Sequence, residues 1–248
     1  MTVRSAMTDF PDVIIHEAEE VRVKKHPDYI AAKAGDLNAA RRLVESWFSA
    51  EALDRISEIA RQMPLENRPV LVPVHALETT GVNRIPVALA DKIEEELGLV
   101  VETSIVQTNT VGHTGADGFH RMAHQARFDG HVDAGCTYFL VDDFVGQGGT
   151  LANLIGFIRS KQGVVLGATV LTGKAHSAGL SQTHGQAEQI RQKHGAALEE
   201  WWRQHFGFGF AELTRSETRY LLRSEDAGLI RDRLAAAGLA GNGPGTPP

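Results

Sequence analysis

Short apolar runs that alternate with helical segments constrain the fold of this chain more than any other feature of its sequence. The runs are rich in β-branched residues, which is typical of strands buried on both faces. Their alternation with helices predicts an α/β fold in which a parallel sheet is covered by helices. The predicted strands are 69–74, 100–106, 137–141 and 164–172, and the predicted helices between them are 84–99 and 151–163.

Helical segments flank this core on both sides. Asp36 and Ser49 can each cap a helix that follows directly, and Thr214 with Glu217 fits a capping box for a later helix. The tail is rich in Gly and Pro, and we expect it to be disordered. The chain therefore divides into an N-terminal helical extension, an α/β core, a C-terminal helical extension and a tail, with the bounds 1–65, 66–175, 176–240 and 241–248.

Composition argues against several classes of protein. The 248 residues carry a net charge of −6 and 23% charged side chains, which is typical of a globular protein and argues against nucleic-acid binding. The single cysteine, Cys136, excludes an internal disulfide and a four-cysteine zinc site. The first residues lack the apolar core of a secretory signal, and no apolar run reaches the ~20 residues of a membrane helix. We therefore expect a cytoplasmic protein with no membrane contact.

The segment FLVDDFVGQGGTL, residues 139–151, is the least ordinary stretch of the chain. It is an apolar strand that runs into Asp142 and Asp143, then into a glycine-rich loop that enters a helix. Ligands of parallel α/β sheets bind beyond the carboxyl ends of the strands. The helix N-terminus favours an anion, and glycines let the backbone approach it closely. The segment therefore offers acceptors for hydroxyls or a metal, and donors for a phosphate, as a sugar phosphate requires.

Other phosphate-binding motifs fit this segment poorly. The spacing of Gly146, Gly148 and Gly149 lacks the third glycine of a dinucleotide fingerprint, and no lysine follows the last glycine as a P-loop requires. His120 and His124 have a spacing that can bind zinc, but neighbouring arginines disfavour a cation. A tight turn with two solvated acids remains the plain structural alternative.

The segment resembles the phosphoribosyl-pyrophosphate (PRPP) motif of type I phosphoribosyltransferases, in which two acids precede a Thr-Thr-Gly-Gly-Thr loop. This resemblance implies a Rossmann-like parallel sheet of the type I phosphoribosyltransferase kind. It implies that Asp142 and Asp143 are catalytic, that they hold the ribose hydroxyls directly or through Mg²⁺, and that their contact with this metal is indirect. The loop residues Gly146, Gln147, Gly148, Gly149 and Thr150 would bind the 5′-phosphate. Gly146 and Gln147 depart from the motif, because they replace two threonines.

A second resemblance extends upstream, to competence protein F-like phosphoribosyltransferases. The stretch 70–99 is similar to their first strand, loop and helix, although their zinc module is absent. The resemblance implies that pyrophosphate lies against Val74, His75 and Ala76. Arg121 and Arg127 are candidates for balancing its charge, and ordinary surface ion pairs are an equal alternative for both.

Together these features predict a phosphoribosyltransferase that uses Mg²⁺ and PRPP to transfer a phosphoribosyl group to a nitrogenous base, or the reverse. Two alternatives stay open. One is a non-catalytic regulator that binds PRPP or a nucleotide, and the other is a partner protein in a DNA-uptake, mobile-element or defence system. The expected partners are PRPP and a base or nucleotide, and a homodimer is one possible assembly. The sequence does not identify the acceptor base.

Overall fold

A parallel sheet lies at the centre of the computed structural model, which describes residues 3–78, 81–111 and 117–240. The strands are β1 (Ile14–Glu17), β2 (Val70–Pro73), β3 (Leu77–Glu78), β4 (Gly81–Val82), β5 (Val106–Gln107), β6 (Phe128–Asp129), β7 (Thr137–Val145) and β8 (Val164–Gly173). The central sheet has the order β1-β8-β7-β2 with all pairs parallel. The short strands form two antiparallel pairs, β3 with β4 and β5 with β6. The predicted α/β fold with a parallel sheet is confirmed.

Helices cover both faces of the sheet, and most of them come before β2 or after β8 in the chain. They are α1 (Glu20–Lys24), α2 (Tyr29–Lys33), α3 (Leu37–Trp47), α4 (Ala50–Arg61), α5 (Ile85–Leu97), α6 (Gly118–Ala123), α7 (Gly149–Ser160), α8 (Gln186–His194), α9 (Ala196–Phe206), α10 (Arg215–Arg223) and α11 (Ala227–Ala240). Among the described residues, these helices include none with the length and apolar character needed to cross a membrane. The predicted disordered tail, 241–248, lies outside the described residues.

Both faces of the sheet are buried, because successive side chains of a strand point to opposite sides. In β7, Tyr138 and Leu140 pack in an apolar cluster with α7. Phe139 and Val141 pack in a second cluster with α3, α4 and α5. All four side chains are buried. This two-sided burial explains why the strand is a nearly continuous apolar run in the sequence.

Three details of the predicted strands are wrong. The predicted N-terminal helical extension contains β1, which pairs with β8 at the edge of the sheet. The predicted strand 100–106 is mostly irregular, with one bridge from Val101 to Leu71, and the backbone N–H of Ser104 donates to the Glu102 carboxylate at 2.5 Å instead of to a strand. The strand predicted at 137–141 continues to Val145, because β8 remains beside it after its pairing with β2 has ended.

The predicted helix caps are confirmed. The side chains of Asp36 and Ser49 accept hydrogen bonds from the first turns of α3 and α4. Thr214 and Glu217 form the predicted capping box at the start of α10, since each side chain accepts from the backbone N–H of the other residue. Local polar chemistry therefore sets these helix starts, as the sequence indicates.

A third apolar cluster joins α6 to the C-terminal helices. Phe119 and Met122 of α6 are buried with Trp202 of α9, Leu221 of α10 and Ile230 of α11. The residues of α6 fall inside the predicted core, 66–175, but they pack with the segment predicted as a C-terminal extension. Any side chain that α6 presents to the sheet edge is therefore positioned by the C-terminal helices.

Candidate functional site

A pocket opens at the carboxyl edge of β2 and β7, where an α/β sheet most often binds its ligands. Its volume of about 140 Å³ is room for on the order of ten water molecules. Residues of the acidic pair and of the glycine loop form one wall. The N-terminal helices α1 and α2, the loop before α5 and helix α6 supply the other walls.

The acidic pair lies within β7 at this edge. Asp142 is 5% exposed, and its Oδ1 accepts a hydrogen bond from the backbone N–H of Asp143 at 2.8 Å. Asp143 forms an ion pair with Lys33 at the end of α2, with 2.9 Å between Nζ and Oδ2. The Asn83 side chain also hydrogen-bonds to the Asp143 carboxylate. The pair is therefore enclosed, and one of its two carboxylates has an internal counter-charge.

These contacts separate the two carboxylates electrostatically. Burial, reinforced by the neighbouring Asp143 charge, raises the pKa of Asp142 well above its ordinary value. Burial also acts to raise the pKa of Asp143, but the Lys33 ammonium and the hydrogen bonds from Lys33 and Asn83 outweigh it, so that this pKa lies below its ordinary value. The pair therefore favours a single negative charge on Asp143, and it titrates as a unit.

The glycine loop ends in the first turn of α7. Gly148 has a φ of +79° and is the N-cap, so that Gly149 and Thr150 are the first two helical residues. A side chain at Gly148 would be strained at this φ, and its Cβ would lie 2.4 Å from Leu180 Cδ2. The first amides of a helix have no partners within the helix, and the helix dipole adds positive potential there. Amides and positive potential of this kind favour an anion, while the role of the loop in binding a phosphate stays a prediction.

Gln147, one of the two residues that depart from the PRPP motif, is anchored through its backbone. Its carbonyl accepts a hydrogen bond from Thr214 Oγ1 at 2.6 Å, which ties the loop to the start of α10. Its side-chain Oε1 is buried and has no hydrogen-bond partner among the described residues. A buried amide oxygen without a partner is costly, so a hydrogen-bond donor from a ligand would stabilise it.

Helix α6 brings Arg121 and His124 to the pocket. Arg121 contacts the glycine loop, since a Cβ added at Gly146 would lie 2.5 Å from its Nη1. Burial lowers the pKa of Arg121, but a guanidinium is not deprotonated in proteins, so the side chain stays charged. His124 Nδ1 donates to the His120 carbonyl at 3.0 Å, which leaves Nε2 as the acceptor of the neutral ring.

A buried polar network forms the floor of the pocket. Arg4, near the N-terminus, makes a bidentate ion pair with Glu217 of α10, at 2.6 and 2.9 Å. Its Nε donates to Asn153 at 2.6 Å and its Nη2 donates to Gln125 at 2.9 Å. Gln125, Asn153 and Glu217 all line the pocket. Residues from the two ends of the chain therefore support the glycine loop from below.

Most of the residues predicted from sequence line this one pocket. They are Asp142, Asp143, Gly146, Gln147, Gly148, Gly149, Thr150, Val74, Ala76 and Arg121. His75 and Arg127 do not line it. His75 forms a strand bridge with Val106, and Arg127 is exposed. The placement of these two residues does not support the predicted pyrophosphate contacts, while the ligand roles of the others stay predictions.

Several pocket residues have no signal in the sequence. Lys24, Tyr29 and Lys33 come from the N-terminal helices, and Gln107 and Gln125 come from the segment before β7. None of them belongs to the motif, and the contact of Lys33 with Asp143 spans 110 residues of sequence. Lys24, Tyr29 and Lys33 reach the pocket only because α1 and α2 fold over the edge of the sheet.

The described residues contain no group of three or more His, Cys, Asp or Glu side chains that could hold a metal ion. The Lys33 ammonium takes up Oδ2 of Asp143, and burial favours the protonated form of Asp142. The acidic pair by itself therefore lacks the ligand set of a metal site, and its predicted indirect contact with Mg²⁺ stays a prediction.

Comparisons with known proteins identify related sequences but leave the function open. No protein-family model matches the chain. Protein TraN of Escherichia coli is 37% identical over 234 residues, which cover 94% of this chain and 51% of that protein. An uncharacterized protein of Haemophilus influenzae is 38% identical over 150 residues, or 60% of this chain and 32% of that protein. The chain thus spans about half the length of the first relative and about a third of the second.

Among solved structures, the adenine phosphoribosyltransferase of Leishmania tarentolae is similar over 77% of this chain and 88% of that one. The TM-score is 0.36 and the sequence identity is 15%. A likeness this distant assigns no activity, and the case for a function depends on the pocket itself.

Proposed function

We propose that this pocket binds a phosphoribosyl compound of the PRPP type and that the protein transfers the phosphoribosyl group to a nitrogenous acceptor. One observation carries the proposal. The two carboxylates that would bind ribose hydroxyls and the glycine loop that would bind a 5′-phosphate line the same pocket at the carboxyl edge of β7. The two halves of the motif are thus joined in space as they are in sequence.

The proposed roles follow from the chemistry of each group. The amides of Gly149 and Thr150, with the dipole of α7, hold the 5′-phosphate. Asp142 and Asp143 accept hydrogen bonds from the ribose hydroxyls. Arg121, which contacts the loop at Gly146, adds positive charge for the diphosphate.

In the proposed transfer, the bond between ribose C1 and the diphosphate oxygen breaks, and its electron pair leaves with the diphosphate. The acceptor nitrogen then bonds to C1 and gives its proton to the carboxylate pair. Positive charge develops on the ribose ring as the diphosphate leaves, and the negative charge shared by Asp142 and Asp143 stabilises it in an enclosed site. Proton acceptance by such a group typically contributes about 10²–10⁴-fold to the rate.

Pyrophosphate release from PRPP in the presence of a panel of free bases tests the transfer. We expect release with at least one base, and its loss in Asp142→Asn and Asp143→Asn. Asp133→Asn is the matched control, because Asp133 is an exposed aspartate outside the pocket. Thermal shift with PRPP and ribose 5-phosphate tests binding separately, since a compound bound to the native state raises the midpoint of unfolding. The absence of a shift with both compounds would refute the proposal.

A second candidate is a protein that binds the same compound without turnover. The observation that favours it is the ion pair between Lys33 and Asp143, which neutralises one of the two carboxylates that the reaction needs. PRPP binding without pyrophosphate release by any base of the panel would favour this candidate.

A further inference from the structure

The ion pair between Lys33 and Asp143 places a fixed cation inside the site. Nζ of Lys33 lies 2.9 Å from Oδ2 of Asp143, and only 14% and 12% of the two side chains are exposed. A surface ion pair exchanges readily with water and ions, whereas an enclosed pair is screened much less. Lys33 is thus part of the pocket wall and lines it next to the acids.

The backbone around Lys33 holds it in this place. Lys33 is the last residue of α2, and the preceding carbonyl, of Ala32, accepts a hydrogen bond from the backbone N–H of Arg84 at 3.1 Å. Gly81 has a φ of +136°, and a Cβ there would lie 2.3 Å from the carbonyl oxygen of Ala34. The end of α2 is therefore fitted closely against the loop before α5. That same loop carries Asn83, which hydrogen-bonds to Asp143.

A divalent metal and this lysine compete for the same oxygen. A metal ion on Oδ2 of Asp143 would lie within a few ångströms of the Lys33 ammonium, where like charges repel strongly in an enclosed site. Among the described residues no further carboxylate or histidine completes a set of three ligands. The Asp143 carboxylate thus already has a cation beside its Oδ2, and a metal ion at the same atom would be repelled by it.

We propose that Lys33 is the resident cation of the ribose subsite, so that the acidic pair binds a phosphoribosyl compound without a protein-bound divalent metal. The inference rests on the proposed function for the identity of the compound. Lys33 holds the Asp143 carboxylate through the 2.9 Å ion pair and orients it for a ribose hydroxyl, which makes it a positioning residue. Any Mg²⁺ would reach the pocket on the diphosphate oxygens of PRPP, as this ion retains waters and prefers phosphate oxygens.

Calorimetric titration of the whole protein tests this with ribose 5-phosphate, which has no diphosphate to carry a metal. We expect the wild-type Kd in EDTA and in excess MgCl₂ to agree within about twofold. Lys33→Met should weaken binding in EDTA about tenfold or more, and MgCl₂ should restore part of it. Lys33→Arg, which keeps the charge, should remain independent of Mg²⁺. Lys92→Met is the matched control, because Lys92 is also ion-paired, with Glu96, but lies outside the pocket.

A second measurement needs no sugar. Thermal unfolding in MgCl₂ should leave the wild-type midpoint unchanged and should raise that of Lys33→Met, in which the two carboxylates have lost their cation. Ribose 5-phosphate binding that requires Mg²⁺ in the wild type would overturn the inference while leaving the proposed function intact. Absence of binding by both ribose 5-phosphate and PRPP would overturn the proposed function. In that case the inference about Lys33 would be overturned as well if MgCl₂ left the unfolding midpoint of Lys33→Met unchanged.

Discussion

The buried ion pair between Arg4 and Glu217 makes the most direct energetic prediction. The side chain of Arg4 is 0% exposed and that of Glu217 is 2% exposed. Glu217→Ala would leave the guanidinium enclosed without its only carboxylate partner in the described structure. Breaking a buried pair by removing one partner costs about 3–5 kcal/mol, because the remaining charge is uncompensated. We expect the free energy of unfolding to fall by that amount.

Several contacts place the expected cost of Glu217→Ala within this range. Glu217 accepts two hydrogen bonds from Arg4, at 2.6 and 2.9 Å, and one from the backbone N–H of Thr214 at 2.9 Å. The substitution removes all three, including half of the capping box of α10. At about 2–4 °C per kcal/mol for a protein of this size, a loss of 3 kcal/mol lowers the midpoint of thermal unfolding by about 6–12 °C.

Urea unfolding monitored by circular dichroism measures the loss of unfolding free energy. Glu225→Ala is the control, because Glu225 is an exposed glutamate. This control should change the free energy of unfolding by less than about 0.5 kcal/mol. The double variant Arg4→Met/Glu217→Leu should recover much of the loss, since it removes both charges and keeps an apolar volume. The expected coupling is about 2–3 kcal/mol. A loss below about 1 kcal/mol in Glu217→Ala, or simple additivity in the double variant, would refute the reasoning.

Two further predictions concern groups far apart in the fold. Burial lowers the pKa of His16 to about 4, whereas the pKa of this histidine in the unfolded chain is about 6.5. Between these two pH values the unfolded state binds a proton that the folded state does not, so stability falls as the pH falls. This residue alone should lower the free energy of unfolding by about 2 kcal/mol between pH 7 and pH 5. His16→Asn, which keeps an acceptor for the backbone N–H of Ser49, should have a correspondingly flatter pH profile in urea unfolding; an unchanged profile contradicts the assignment. Gly148→Ala should lower stability by about 1–3 kcal/mol, through its φ of +79° and its contact with Leu180, and should abolish any thermal shift with ribose 5-phosphate. A variant that keeps both stability and the shift would show that the loop tolerates a side chain.

The sequence predicts the parts of this fold that depend on local chemistry. The apolar runs of β2, β7 and β8 form strands because both of their faces are buried, and the caps Asp36, Ser49 and Thr214 work through atoms a few residues away. The glycine loop is also visible, because its conformation and its position before a helix are local properties.

Other parts depend on contacts that no local pattern contains. Strand β1 has only four residues, too few to show a period, and its pairing with β8 spans about 155 residues. Lys33 is an ordinary lysine at the end of a short helix until α2 packs beside the sheet edge. The reverse error occurs at 100–106, where an apolar start predicts a strand but polar side chains then take over the backbone hydrogen bonds.

The pairing of Arg4 with Glu217 also has a consequence for the order of events during synthesis. The two residues are 213 positions apart, so at about 5–20 residues per second roughly 10–40 s separate their emergence from the ribosome. During that interval Arg4 must remain hydrated, because it cannot be buried without its carboxylate. The sheet can assemble earlier, but the floor of the pocket closes only after α10 has been made. The pocket of a nascent chain is therefore completed only after α10 has emerged.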